Sequence, residues 1–253
     1  MIKKRVIPTL LFKNNQMVKG VKFENFKSVG VPVSTVKVYT SQEADELMFI
    51  NISDNKDYNN IFLNILKEAS FNCSIPLIIG GGIRTKKDAR LAFDSGADKI
   101  LINTSAIENF LFIKELIKIY GSQAIVIGVD YKIINGVYHI FKNNGKTMCN
   151  LNFQNYLKKL ENEKIGEIFL SNIDLDGSLL GYDFDTLKKI AKELTIPVIG
   201  CCGAGNFEHF YEIFSQTEVS ALSCSSIFHF GDNNPIRLRS YLKNKNIPVR
   251  NIR

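Results

Sequence analysis

SIPLIIGGGI, residues 74–83, has a counterpart in TIPVIGCCGA, residues 195–204, where Ile75 answers to Ile196 at an offset of 121 residues. ADELMFINISDN, residues 44–55, pairs with IGEIFLSNIDLD, residues 165–176, and Glu46 to Glu167 gives the same offset. Two segments sharing one offset mark an internal repeat of about half the chain. The first pair also has the grammar of a parallel sheet: a short apolar run, buried on both faces, ends in glycines that open a loop.

Working outward, short apolar runs alternate with amphipathic stretches along the whole chain. The pattern predicts strands at 5–11, 45–52, 75–80, 98–103, 124–130, 167–172, 196–201 and 219–225. It predicts helices at 31–43, 58–70, 85–95, 107–119, 153–164, 184–194, 206–215 and 234–244. Eight alternating pairs in 253 residues predict one α/β domain over 1–253, a (β/α)8 TIM barrel of two fused half-barrels. The segment 132–148, with its Asn143-Asn144-Gly145-Lys146 run, predicts a hairpin excursion after the fifth strand. RVIPTLLFK opens the barrel with a charge, Arg5, at the bottom of a strand and leucines at its top; Lys13-Asn14-Asn15 signals a turn.

Composition limits the function classes. The chain is 45% hydrophobic and 23% charged, as in ordinary globular proteins, and no apolar stretch is long enough to span a membrane. Lys3-Lys4-Arg5 and the apolar run after it imitate a signal peptide, but no small-residue cleavage site follows, so a cytoplasmic location is expected. Net charge is +7, yet the lysines are scattered rather than clustered with aromatics, which argues against nucleic acid and leaves an attraction for phosphorylated substrates. Cys73, Cys149, Cys201, Cys202 and Cys224 form no CxxC spacing; free thiols are expected, with no metal and no cofactor.

The candidate chemistry sits where the strands end. Gly80-Gly81-Gly82 lets backbone approach an anion, and Asn103-Thr104-Ser105 ends the fourth strand with further donors. The second half repeats the device with Gly203-Ala204-Gly205 and Ser225-Ser226, so two phosphate sites are expected on opposite sides of one mouth. Asp130 ends the fifth strand at the face where such barrels react, and the repeat sets Leu11 opposite it. A carboxylate at both places would serve acid–base work from two sides; only one is present. Asp174 and Asp176, before Gly177, read either as ligands for sugar hydroxyls or as an acidic turn. His209 and His229, among aromatics, read as packing or capping residues, and Cys201-Cys202 as small buried ones.

RVIP (5–8), KG (19–20), ADEL (44–47), GGGIR (80–84), INTSA (102–106), DGSLLGYD (176–183), GAGNFEHF (203–210) and SIFHF (226–230) resemble the cyclase subunit of imidazole glycerol phosphate synthase over essentially the whole chain. That family takes ammonia from a glutaminase docked under the barrel and, with two aspartates, splits and cyclises the bisphosphate PRFAR. The resemblance implies an ammonia gate of Arg5, Glu46, Lys99 and Glu167, and a substrate site that keeps Lys19, Asp130, Asp176 and the phosphate loops. It also exposes departures: Leu11 at the first catalytic aspartate, Asn51 at an acidic contact, Cys201-Cys202 for Ser-Gly, and Asn144 at a hydroxyl position. An intact entrance above an altered centre looks like the divergent branch that serves acetamidino modification of surface-glycan sugars beside a sugar amidotransferase. An authentic cyclase, and a scaffold that only activates the glutaminase, are the competing expectations.

Overall fold

The computed structural model describes residues 3–53 and 60–251. In the first half, β1 (Arg5–Lys13) runs into a hairpin of β2 (Gln16–Val21) and β3 (Glu24–Gly30). After it come α1 (Pro32–Ser41), β4 (Leu47–Asn51), α2 (Asn60–Phe71), β5 (Leu77–Gly80), α3 (Lys86–Asp94), β6 (Lys99–Ile102), α4 (Thr104–Glu108) and α5 (Phe110–Tyr120). The second half repeats this plan. β7 (Ile125–Ile134) leads into β8 (Val137–Lys142) and β9 (Thr147–Met148), followed by α6 (Phe153–Asn162), β10 (Glu167–Asn172) and α7 (Phe184–Glu193). The chain ends with β11 (Val198–Cys201), α8 (Phe207–Gln216), β12 (Ala221–Cys224), α9 (Ser226–His229) and α10 (Pro235–Asn244).

Strands β1, β4, β5, β6, β7, β10, β11 and β12 pair in that order, all parallel, and β12 returns to β1 through Arg5↔Ala221 to Pro8↔Cys224. The result is the expected closed barrel, and β7 stands four strands from β1, diametrically across it. Inward and outward positions alternate, so each strand feeds two cores. Outward residues such as Val6, Leu10 and Phe12 of β1 pack under the helices. Inward, Ile7, Met48, Ile78, Leu101, Val126, Phe169, Ile199 and Ala221, one from each barrel strand, form a second cluster inside the barrel.

The period of two then explains Arg5. Two residues before Ile7, Met48, Leu101 and Phe169 stand Arg5, Glu46, Lys99 and Glu167; two residues after them stand Thr9, Ile50, Asn103 and Ser171. One alternation thus stacks a charged ring, a dry apolar layer and a largely polar mouth along the axis.

Two sequence expectations need correction. β1 does not stop at residue 11: Asn14 (φ 49) and Asn15 (φ 65) make a tight turn into β2, with both residues in the left-handed region such hairpins require. The helix expected at 107–119 is two helices, because Asn109 leaves helical geometry and its side chain accepts from the Phe112 N–H to start α5. Of the helix expected at 58–70, the first two residues lie outside the described residues. The hairpin after the fifth strand is present as β7–β8, joined by β9.

Candidate active site

Leu11, Lys19, Asn51, Asp130, Asp176 and most residues of the two glycine loops line one cavity at the C-terminal ends of the barrel strands, while Gly80, Gly205 and Asp174 lie off it. On one side lie Gly81 (φ 85) and Gly82 (φ 78), facing Asn103 and Thr104 at the start of α4. A Cβ on Gly81 would sit 1.9 Å from the Asn51 carbonyl, so only glycine permits that approach. On the other side, Cys202 (φ 82) and Gly203 (φ 97) repeat the conformation, and Ala204, Ser225 and Ser226 complete the rim. Asn103 (φ −118, ψ −84) and Ser225 (φ −137, ψ −66) share one irregular backbone geometry before α4 and α9. The repeat therefore survives at the level of dihedral angles.

Asn103 donates to Asp130 at 2.9 Å, while its own Oδ1 is buried without a hydrogen-bond partner. The Ser225 hydroxyl is likewise buried and unpartnered. Buried polar atoms of this kind are costly unless something fills the cavity between them. Lys19 is buried and held by Asp176 at 2.7 Å and by the Gly20 carbonyl at 2.8 Å. Asp176 also accepts from the Phe23 N–H, and a Cβ on Gly177 would meet the Gly20 carbonyl at 2.7 Å. This pair therefore fastens the β2–β3 hairpin to the strand-ten side of the mouth. Asp176 is spoken for by a cation, which disfavours the sugar-hydroxyl reading; Asp174 pairs with Lys132 at 3.6 Å, off the cavity.

Among the described residues, Asp130 and Asp176 are the carboxylates that line the mouth. Across the barrel from Asp130, Leu11 offers only methyl groups, beside Ile50 on the neighbouring strand. Asn51 is buried, and its Oδ1 accepts from the Ser53 N–H at 3.0 Å; Asn144 donates to the Ile52 carbonyl at 3.1 Å. The mouth thus presents two glycine loops on opposite sides and, facing Leu11, the carboxylate of Asp130.

Phe23 and Phe26, on the first-half hairpin, also line the mouth, and sequence reading missed them. The signal was available: each half places an excursion after its first strand, and recognising the second excursion predicts the first. His209 is a capping residue, accepting from the Gly205 N–H at 3.1 Å, as expected. His229 packs against Tyr39, whose hydroxyl lies 3.2 Å from its Nδ1; burial, and then Lys19, push it down to about 4.

At the barrel's other end, the four charges close a ring. Arg5 binds Glu46 at 2.6 Å and Glu167 at 2.7 Å; Lys99 binds Glu46 at 3.1 Å and Glu167 at 2.6 Å. Burial alone would raise the Glu167 carboxyl, but Arg5 and Lys99 outweigh it and hold it below the usual range. Burial likewise opposes the Arg5 charge, and the two glutamates reverse that and raise it. Among the described residues, no cluster of three or more His, Cys, Asp or Glu could hold a metal, and no helix is long and apolar enough to cross a membrane.

The family model described as Histidine biosynthesis protein matches residues 5–234. The imidazole glycerol phosphate synthase subunit HisF of Saccharolobus solfataricus is 41% identical over 250 residues, covering 99% of this chain and 100% of its own. The protein of the same name from Hydrogenobaculum sp. is 40% identical over 251 residues, and that from Chloroherpeton thalassium 39% over 250, with the same coverage. The chain belongs to the histidine biosynthesis protein family, among its HisF-type imidazole glycerol phosphate synthase subunits.

Proposed function

We propose that this chain is the ammonia-accepting subunit of a glutamine-dependent amidotransferase, with a glutaminase docked at the face that carries the charged ring. In this reading Arg5, Glu46, Lys99 and Glu167 gate ammonia into the barrel, and the mouth holds a phosphorylated small molecule between the two loops. The end product is the acetamidino group of a surface-glycan sugar, made with a sugar amidotransferase, rather than imidazole glycerol phosphate.

The observation that carries this is Leu11. Cyclisation of PRFAR as the family performs it needs proton transfer from both sides of the substrate, and Leu11, opposite Asp130, has no group to transfer a proton. Losing one general acid–base group costs about 10²-fold or more. PRFAR turnover with ammonium salts should therefore be slower than in an authentic cyclase by at least about that factor. Turnover at ordinary cyclase rates refutes the glycan reading.

A second reading, an authentic cyclase working with Asp130 alone, is favoured by the end-to-end identity and by the retained Lys19–Asp176 pair. The same assay separates the two. Both readings treat the intact loops as binding sites, which weighs against a bare scaffold.

A further inference from the structure

Cys201 ends β11, Cys202 follows it in the second glycine loop, and their sulfurs stand 3.5 Å apart. Both line the mouth; Cys201 is half-buried and Cys202 buried behind it. A small oxidant entering the cavity therefore meets Cys201 first. Cys202 is oriented to donate its S–H to the Cys201 sulfur, so the two sulfurs face each other. Consecutive α-carbons lie about 3.8 Å apart, below the roughly 4.4–6.8 Å usual for a disulfide, so a bond here is strained and easily reduced. Strained disulfides of this kind are the labile ones. The first-half loop has glycine, Gly81, where this loop has Cys202, and both hold positive φ (85 and 82). The thiol is thus placed on the turn that shapes the loop.

We propose that Cys201-Cys202 is a reversible dithiol–disulfide site for peroxides, and that its oxidation state sets whether the second loop can take an anion. The Cys201 thiolate attacks one peroxide oxygen, breaking the O–O bond and releasing hydroxide to leave a sulfenic acid on Cys201. Cys202 then gives up its proton as its sulfur attacks the Cys201 sulfur and expels a second hydroxide. The two protons given up by the thiols turn both hydroxides into water, so two electrons from the pair reduce one peroxide. Bond formation draws the sulfurs from 3.5 Å to about 2.05 Å, and the loop backbone must turn to allow it. The consequence for anions rests on the reading of this loop as a phosphate cradle; the bond itself does not.

The test uses the whole reduced chain, treated with a slight excess of hydrogen peroxide and then alkylated. The peptide carrying both residues should be two hydrogens lighter and unalkylated, dithiothreitol should restore it, and Cys201→Ser should abolish the change. Sulfinic acid on Cys201 beside an alkylated Cys202, a bridge to Cys224 (which lines the same cavity), or full alkylation of both would overturn the site. In a second arm, the rise in Tm given by inorganic phosphate should shrink on oxidation and return on reduction. A bond that forms with the phosphate response unchanged refutes the link to the anion loop.

Discussion

Replacing Lys99 with alanine leaves Glu46 and Glu167 to share the one guanidinium of Arg5, and turns a neutral ring into one of net charge −1. All four ring contacts are 2.6–3.1 Å, and the carboxylate side chains are only 9% exposed. Breaking a buried pair costs about 3–5 kcal/mol. Here Arg5 still reaches both carboxylates and the ring opens towards solvent, so about 2–3 kcal/mol is expected, or a fall in Tm of about 5–10 °C for a domain of this size. The sign of the pH dependence separates charge from packing. In the native ring Glu167 is held low, so its contribution is complete above the ordinary glutamate range and is lost progressively as pH falls from that range towards the lower native value. Without Lys99 that depression weakens and Glu167 protonates earlier, relieving the excess negative charge, so the deficit against the native protein should narrow from about pH 5 to about pH 3. Urea unfolding at the two pH values measures this. With the cognate glutaminase, Lys99→Ala should impair acceptor amidation from glutamine more than from added ammonium, and Lys99→Arg should recover part of the loss. A deficit that does not vary with pH refutes the electrostatic argument. Equal loss with both nitrogen sources, in a folded protein, leaves structural ion pairs and no gate.

Two further outcomes test the mouth. A ligand with a phosphate at each end should raise Tm more than inorganic phosphate at equal concentration, because only the former links the Gly81–Gly82 and Gly203–Ala204 loops; equal shifts would mean that one loop is closed. His229 is held near 4 in the folded chain against 6.5 unfolded, so between those values the unfolded state binds the extra proton and stability falls as pH falls, by about 3 kcal/mol in all. His229→Gln should flatten that part of the stability curve, and an unchanged slope in denaturant titrations would remove His229 as its cause.

The barrel was legible because its strands obey two constraints at once. They are apolar on both faces, and the two segments that repeat at one offset fix the chain as two halves. The hairpin at 16–30 was not legible in this way. Its second strand is largely exposed, so no burial pattern marks it, and Asn14-Asn15 signals a turn equally well whether a strand ends there or folds back. The break at Asn109 was hidden for a similar reason: an asparagine inside an amphipathic run is a cap only if the backbone leaves the helix, which neighbouring packing decides. At the mouth, the glycines announced both loops, but nothing in the residue name of Cys202 says that it carries a glycine's φ.

What a repeat reveals is equivalence, and the distinctive chemistry of this chain lies where equivalents differ. Glu46 and Glu167 occupy matching places and both are kept. Lys99 has Ser220 as its counterpart at the same offset, and the cross-barrel register sets Arg5 against Ala124 and Leu11 against Asp130. Both ring cations therefore come from the first half, and Ser220 donates to the Val198 carbonyl at 2.8 Å while accepting a 3.4 Å contact from Arg5. Two matching carboxylates facing each other without cations would repel. Supplying both cations from one half neutralises both carboxylates with two side chains. The mouth shows the opposite asymmetry, since both carboxylates that line it, Asp130 and Asp176, come from the second half. The ring thus draws three of its four charges from the first half, and the apolar layer inside the barrel separates it from the carboxylates of the mouth.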